Sequence, residues 1–319
     1  MHRKIKTLLL LGLLVIGFLP LLSLCSNSMA TVETGPAEFL RDHDTAMELA
    51  KKSGKPVFAF FQEVPGCAGC QKFGKEVMTD TIIMDAVENN FVPLLIHNNK
   101  GGKDAEILKK YKEPAWNYQV IRFLDSKGRD IIPRKDQVNT RAELSQRMAD
   151  ALVKAKKPVP KALQLLQLST DTRNLEKVAF SCHCFWTGEA KLGTLDGVVE
   201  TEAGFFDGHE VTLVTYHKKT ISLRELVRQA QKFNVANSVY VTTTSQIKEI
   251  GGLVKNPKTL GKDYRKAKAS DQNRQIPGTA FAQLKLSPAQ ACKVNAFCRT
   301  QPKKALEYLT VKQRQKIAR

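Results

Sequence analysis

No low-complexity tract occurs in this 319-residue chain, and no basic stripe is interleaved with aromatics. The first absence, beside 42% apolar residues, excludes a disordered chain. At ~150 residues per domain the length predicts two domains rather than one small core. Acidic residues are scarce: 31 Asp+Glu face 50 Lys+Arg, a formal charge of +19. That surplus favours contact with anionic surfaces, but without a recognition motif nucleic acid is not an expected partner. Cysteine is also too scarce, at seven, for a mini-domain stapled by disulfides. What there is falls into three close pairs, Cys67/Cys70, Cys182/Cys184 and Cys292/Cys298, with Cys25 alone. Sulfur chemistry is therefore the first question the sequence poses.

The start of the chain has the anatomy of an export signal. His2, Arg3, Lys4 and Lys6 precede a nearly unbroken apolar stretch over 8–19, and Ser28-Met29-Ala30 offers small residues where a signal peptidase reads. Cleavage after Ala30 would remove Cys25 and leave six paired cysteines. Two alternatives are lipidation at Cys25 and an uncleaved anchor, since the apolar run approaches the length of a span. All three place the body outside the cytoplasm, periplasmic or secreted, with a membrane as partner only if the segment is retained. There, thiol pairs either form structural disulfides or are kept reduced for a purpose.

Between residues 37 and 141 helical and strand signals alternate. Apolar spacing predicts a helix over 39–52, strands over 56–61, 91–96 and 120–125, and a helix from the CxxC at 67–70 to about 76. The stretch 142–172 is helical and basic, broken at Pro158 and Pro160, and is expected to connect two domains. Beyond it the order strand 175–181, helix 187–195, strands 197–206 and 211–216, helix 222–233, strand 238–243 is the βαββαβ order of a split-βαβ sheet. The helix at 222 is opened by an N-cap serine with Glu225 three residues on. Residues 255–275, rich in Lys, Arg, Gly and Asp, are expected to form a solvated surface loop, and helical spacing returns over 288–298.

A CxxC between a buried strand and a helix start puts its first sulfur at the positive end of the helix, where an anion is favoured. The first cysteine then attacks a disulfide, and the second, one turn on, resolves the mixed disulfide. The run 50–57 (AKKSGKPV), the CxxC and Phe91-Val92-Pro93 together resemble the thioredoxin-like superfamily over about 39–132. The resemblance implies Cys67 as the attacking thiol and Cys70 as the resolving one. Val64-Pro65-Gly66 stands before the motif where an aromatic is common, which is similar to a subgroup carrying Val-Pro-Gly there. Gln119 occupies the position of the family's cis-proline, with Pro114 nearby but out of register. A stable disulfide or half of a zinc site is the competing reading.

Cys182-His183-Cys184-Phe185-Trp186-Thr187-Gly188-Glu189 again lies at the end of a strand and the start of a helix. An aromatic wall there suits a thioether methyl, because sulfur contacts aromatic rings favourably. This stretch resembles the A-type peptide-methionine sulfoxide reductases, as do 195–205 (LDGVVETEAGF), His209-Glu210-Val211, Tyr216 and Ile221-Ser222, and more weakly 278–281 and 286–290. The resemblance implies that Cys184 attacks the sulfoxide sulfur and that a second cysteine traps the resulting sulfenic acid as a disulfide. Cys182 is a further catalytic candidate, while Cys292 and Cys298 are the candidate partners or else form a structural disulfide; six apart on one helix, they should face different sides. Phe185, Trp186, Phe205 and Glu189 would bind the substrate, with Phe205 where the family has a tyrosine. The family's acid glutamate falls in a segment expected to be missing between Gly208 and His209, leaving His183, Glu189 and Glu210 as candidates by nearness alone.

The expected architecture is thus an α/β thioredoxin-like domain (37–141), a helical connector (142–172) and an α+β split-βαβ domain (173–319) with a basic C-terminal extension, after a leader over 1–30. The expected function is an exported thiol oxidoreductase that reduces methionine sulfoxide through Cys184 and is recharged by Cys67/Cys70. Its partners would be oxidised methionine, free or in proteins, and a thiol electron donor, with no cofactor and no resident metal. The alternative is a reductase-like domain that has lost catalysis or binds copper or zinc through Cys182-His183-Cys184, partnered with an exchange domain.

Overall fold

A computed structural model describes residues 27–28, 31–115 and 119–318, so of the expected leader only Asn27 and Ser28 are described, and its apolar run, Cys25 and Ala30 lie outside the described residues. Among those described, no helix is long and apolar enough to cross a membrane.

The first sheet joins β1 (Asn27–Ser28), β2 (Phe39–Leu40), β3 (Val57–Gln62), β4 (Val92–His97) and β5 (Val120–Leu124) in the order β1-β2-β4-β3-β5. β3 runs parallel to β4 and antiparallel to β5. Every residue of β3 is buried, as a central strand with both faces covered requires. Phe39 and Leu40, expected in a helix, instead enter the sheet. Phe39 is fully buried against the rings of Phe58 and Phe60 at 6.4 and 6.0 Å. The helix begins later, as α1 (His43–Ser53), because the Asp42 carboxylate accepts Thr45 N at 2.9 Å and caps it. α2 (Ala68–Glu76) follows β3. Two helices of this domain were not anticipated, α3 (Thr81–Asn90), capped by the Asp80 carboxylate, and α4 (Lys103–Tyr111), in which only Leu108 and Tyr111 are buried.

The expected connector is part of the core. α5 (Arg141–Lys154) and α6 (Lys161–Thr170) are separated at the predicted prolines. α6 sends Leu163 and Leu166 into the first domain's core and Leu165 into a cluster with Val199, Phe281 and Phe297 of the second. One helix therefore serves two cores.

The second domain follows the predicted order: β6 (Leu175–Ser181), α7 (Phe185–Leu192), β7 (Val198–Phe206), β8 (His209–His217), α8 (Leu223–Lys232), β9 (Ser238–Val241). β6 lies between β8 and β9, antiparallel to both. A short α9 (Thr244–Glu249) follows β9. The basic 255–275 segment is not a plain loop. It supplies β10 (Lys258–Thr259) on the β9 edge and β11 (Arg265–Lys266) on the β7 edge, giving the order β10-β9-β6-β8-β7-β11. Short, charged edge strands of this kind discourage further pairing. Three C-terminal helices complete the chain, α10 (Pro288–Phe297), α11 (Pro302–Glu307) and α12 (Val311–Ile317).

Candidate functional site

Two of the three thiol pairs, Cys67/Cys70 and Cys182/Cys184, sit at strand-to-helix junctions. Cys67 is the N-cap of α2, with extended backbone (φ −66°, ψ 173°), and its side chain is exposed. Cys70, one turn on, is completely buried. Their sulfurs are 3.2 Å apart and both are free thiols. Burial, with the Cys67 sulfur beside it, pushes the Cys70 thiol up to about 12. The division of labour follows from access: only Cys67 can meet an external disulfide, and Cys70 is held as a protonated thiol behind it.

Two carboxylates that sequence reasoning passed over frame this pair. Glu63, just after β3, accepts Cys67 N at 3.3 Å and the Cys70 thiol at 3.8 Å through Oε2. Glu33, 34 residues before Cys67 in the chain, reaches in through a turn over 31–35 and accepts Gly66 N at 3.0 Å. Glu63 could have been suspected from its place four residues ahead of the motif; no local signal points to Glu33. Among the described residues the cis peptide is Val64–Pro65, directly before the motif, while Gln119 is buried and bonds Asn139 Oδ1.

Cys184 is the N-cap of α7 and partly open to solvent. Cys182, directly after β6, is buried, its thiol donating to Cys184 O at 3.2 Å; burial raises it above the usual cysteine range. Phe185 is 4% exposed and makes edge-on contacts with Trp186 and Phe205 at 5.7 and 5.5 Å. Trp186 is oriented by its indole N–H, which donates to Asp271 O at 3.0 Å. The partly exposed Trp186 and Phe205 thus form the open part of the wall, and Phe185 its buried backing. Two cations lie over these rings, Arg274 on Trp186 and Arg265 on Phe205, both at 5.7 Å.

Glu210 is the carboxylate at this site. Its Oε2 accepts Phe185 N at 2.9 Å, the first free N–H of α7 and one residue from Cys184. The β7–β8 hairpin brings it there, for β8 begins at His209 and pairs Glu210 with Phe205. β7 passes into β8 through Asp207 and Gly208 alone, and of the three candidates named by nearness Glu210 is the one that meets the start of α7. Glu189, expected to bind substrate, is instead sealed at 0% exposure. It lies on the inner face of α7, accepting Asn273 N at 3.1 Å, and burial pushes it up to about 8.

The candidate partners Cys292 and Cys298 face different sides, as spacing predicts. Cys292 is 1% exposed in the core with Cys182 and Phe185, accepting from Thr201 Oγ1 at 3.8 Å. Cys298 lies in the separate cluster around Phe297 and donates to Gln275 O at 3.3 Å. Burial raises both thiols. The ligand atoms of Cys182, His183 and Cys184 do not converge as a metal site would require; among the described residues the set that does is Glu63, Cys67 and Cys70. A cleft of about 760 Å³ between the domains is lined by residues such as Ile82, Leu166 and Val199 and by none of the cysteines.

A family model described as thioredoxin-like matches residues 38–126. No curated protein sequence matches the chain. Solved structures similar to parts of it include Mxr1 from Saccharomyces cerevisiae in an unusual oxidised form, at 21% identity and a TM-score of 0.23, covering 25% of this chain and 61% of that one. A DsbH oxidoreductase matches at 17% identity and a TM-score of 0.31, covering 37% of this chain and 86% of its own. Methionine sulfoxide reductase A of Corynebacterium diphtheriae matches at 17% identity and a TM-score of 0.29, covering 42% and 86%. Residues 38–126 are a thioredoxin-like domain carrying a dithiol, joined to an α+β domain built on the second sheet.

Proposed function

We propose that the chain is an exported thiol-dependent oxidoreductase that reduces methionine sulfoxide at Cys184 and is recharged by the Cys67/Cys70 dithiol. The observation that carries this reading is the pairing of a solvent-reachable sulfur at the start of α7 with the Glu210 carboxylate on the next backbone N–H. Attack of a thiolate on a sulfoxide sulfur needs a proton for the departing oxygen, and an acid beside the nucleophile supplies it. Cys184 takes up the oxygen as a sulfenic acid and the sulfoxide leaves as a thioether, so sulfur in the protein is oxidised by two electrons and the substrate reduced by two. A thiol then condenses with the sulfenic acid, releasing water and forming a disulfide. Cys182 is nearest in the chain, its thiol already on Cys184 O. Cys67 attacks that disulfide, Cys70 displaces the mixed disulfide, and an external thiol donor reduces the Cys67–Cys70 bond. Trp186 and Phe205 offer the methyl group an aromatic surface.

With dithiothreitol as reductant, wild-type protein should convert methionine sulfoxide to methionine. Cys184→Ser should abolish turnover, and Glu210→Gln should lower kcat by about 10²-fold with a changed pH profile. Full activity in Cys184→Ser would overturn the assignment. The relay has its own test: in a Cys70→Ser variant, a trapped disulfide between Cys67 and the second domain should be recoverable by peptide mapping. Its complete absence would remove the internal recharging step while leaving the reductase reading intact.

A further inference from the structure

Glu63, Cys67 and Cys70 share a property the exchange reaction does not require. Their ligand atoms, one carboxylate oxygen and two sulfurs, all lie within 4.8 Å of one another. The carboxylate is already aimed: Cys67 N holds Oε2 at 3.3 Å, and the same oxygen is 3.8 Å from the Cys70 sulfur. Tetrahedral zinc with Zn–S of ~2.3 Å and Zn–O of ~2.0 Å sets its sulfurs ~3.8 Å apart and sulfur from oxygen ~3.5 Å apart. The Cys70–Glu63 edge therefore has nearly the required length. The two sulfurs, at 3.2 Å, need to part by about half an ångström, a change within reach of one side-chain rotation at the exposed Cys67.

We propose that the reduced Cys67/Cys70 pair, together with Glu63, is a zinc site, in which the metal protects the dithiol from oxidation and withholds it from exchange. Two thiolates and a carboxylate bring three negative charges to the ion and leave one tetrahedral position for water or an incoming thiol. The ligand chemistry favours zinc over copper(I): copper(I) is satisfied by the two sulfurs, whereas a hard oxygen contributes to a borderline ion such as zinc. Binding releases one proton from each thiol, two per ion, and changes no oxidation state. Removal of the ion restores a dithiol competent for exchange.

The test uses the full, reduced chain, with zinc as ligand and cobalt as spectroscopic substitute. One zinc should bind per chain with release of about two protons. Cobalt should show a thiolate charge-transfer band and the intense visible bands of a tetrahedral site. Cys67→Ser, at an exposed position that leaves the core untouched, should lose the band and the tight binding. Glu63→Gln should weaken zinc by about 10–100-fold. Zinc should also slow alkylation of Cys67 by iodoacetamide, reversibly by a chelator. Tight binding that persists in Cys67→Ser would place the metal elsewhere, unchanged affinity in Glu63→Gln would reduce the site to a bare dithiol, and absence of stoichiometric binding would dismiss it; each overturns the proposal.

Discussion

A single side chain can carry its own pH dependence, and Glu189 is the clearest case. It is fully buried, one oxygen accepts Asn273 N, and the other has no partner among the described residues. Desolvation pushes its pKa up to about 8 from an ordinary 4.5. The folded state therefore holds a proton that the unfolded chain loses at lower pH, so stability falls as pH rises between the two values. The contribution is complete below about pH 4.5 and gone above about pH 8. Thermal unfolding of wild type should show Tm declining across that window. Glu189→Gln, which keeps the shape and cannot ionise, should flatten the decline and melt higher than wild type at about pH 9. A wild-type Tm with no slope between those values would mean that Glu189 ionises without cost.

Helices here are placed by what their surface leaves room for. α2 carries Gly74 where a Cβ would lie 1.9 Å from the carbonyl oxygen of Val32, so the 31–35 turn can lie flat on the helix only because no side chain stands there. That turn holds Glu33, which fixes Gly66 N ahead of Cys67 and accepts Gln62 Nε2 at its carbonyl. Gly74→Ala should therefore destabilise the protein by about 1–3 kcal/mol, read by denaturant unfolding. It should also change the alkylation rate of Cys67, because the turn is displaced from the motif. Gly101→Ala is the control, since a Cβ there meets nothing within 4 Å and should shift stability by less than about 0.5 kcal/mol. α7 repeats the device: a Cβ at Gly188 would fall 2.1 Å from Thr212 Oγ1.

The two domains are held as one molecule by α6 and by the C-terminal helix. Leu163 and Leu166 face one core and Leu165 the other, so α6 cannot leave either domain without exposing leucines. α12 docks on α3, where Asp85 Oδ1 accepts Val311 N at 2.7 Å and Lys312 pairs with Glu88 at 3.1 Å. A carboxylate from one domain thus caps a helix of the other. Asp85→Ala should cost about 1 kcal/mol in thermal unfolding and make the chain around 311–317 more susceptible to limited proteolysis. Unchanged protease resistance would show that the interdomain leucines suffice by themselves.

Residue order along the chain determined most of the architecture. Strand periodicity marked β3, β4 and β6 to within a residue or so, the Ser222 cap fixed the start of α8, and the positions of Cys67/Cys70 and Cys182/Cys184 at strand-to-helix junctions were legible. These are local signals, since pattern and capping act within a few residues of one another. What only the tertiary structure decided is long-range. Glu33 reaches the first motif from 34 residues away, Glu210 reaches the second from 26 residues beyond Cys184, and Glu189, on the motif's own helix, turns inward where sequence suggested a site. A carboxylate's neighbours are set by how hairpins and turns fold back, and its charge state by the burial they impose, neither of which is written in adjacent residues.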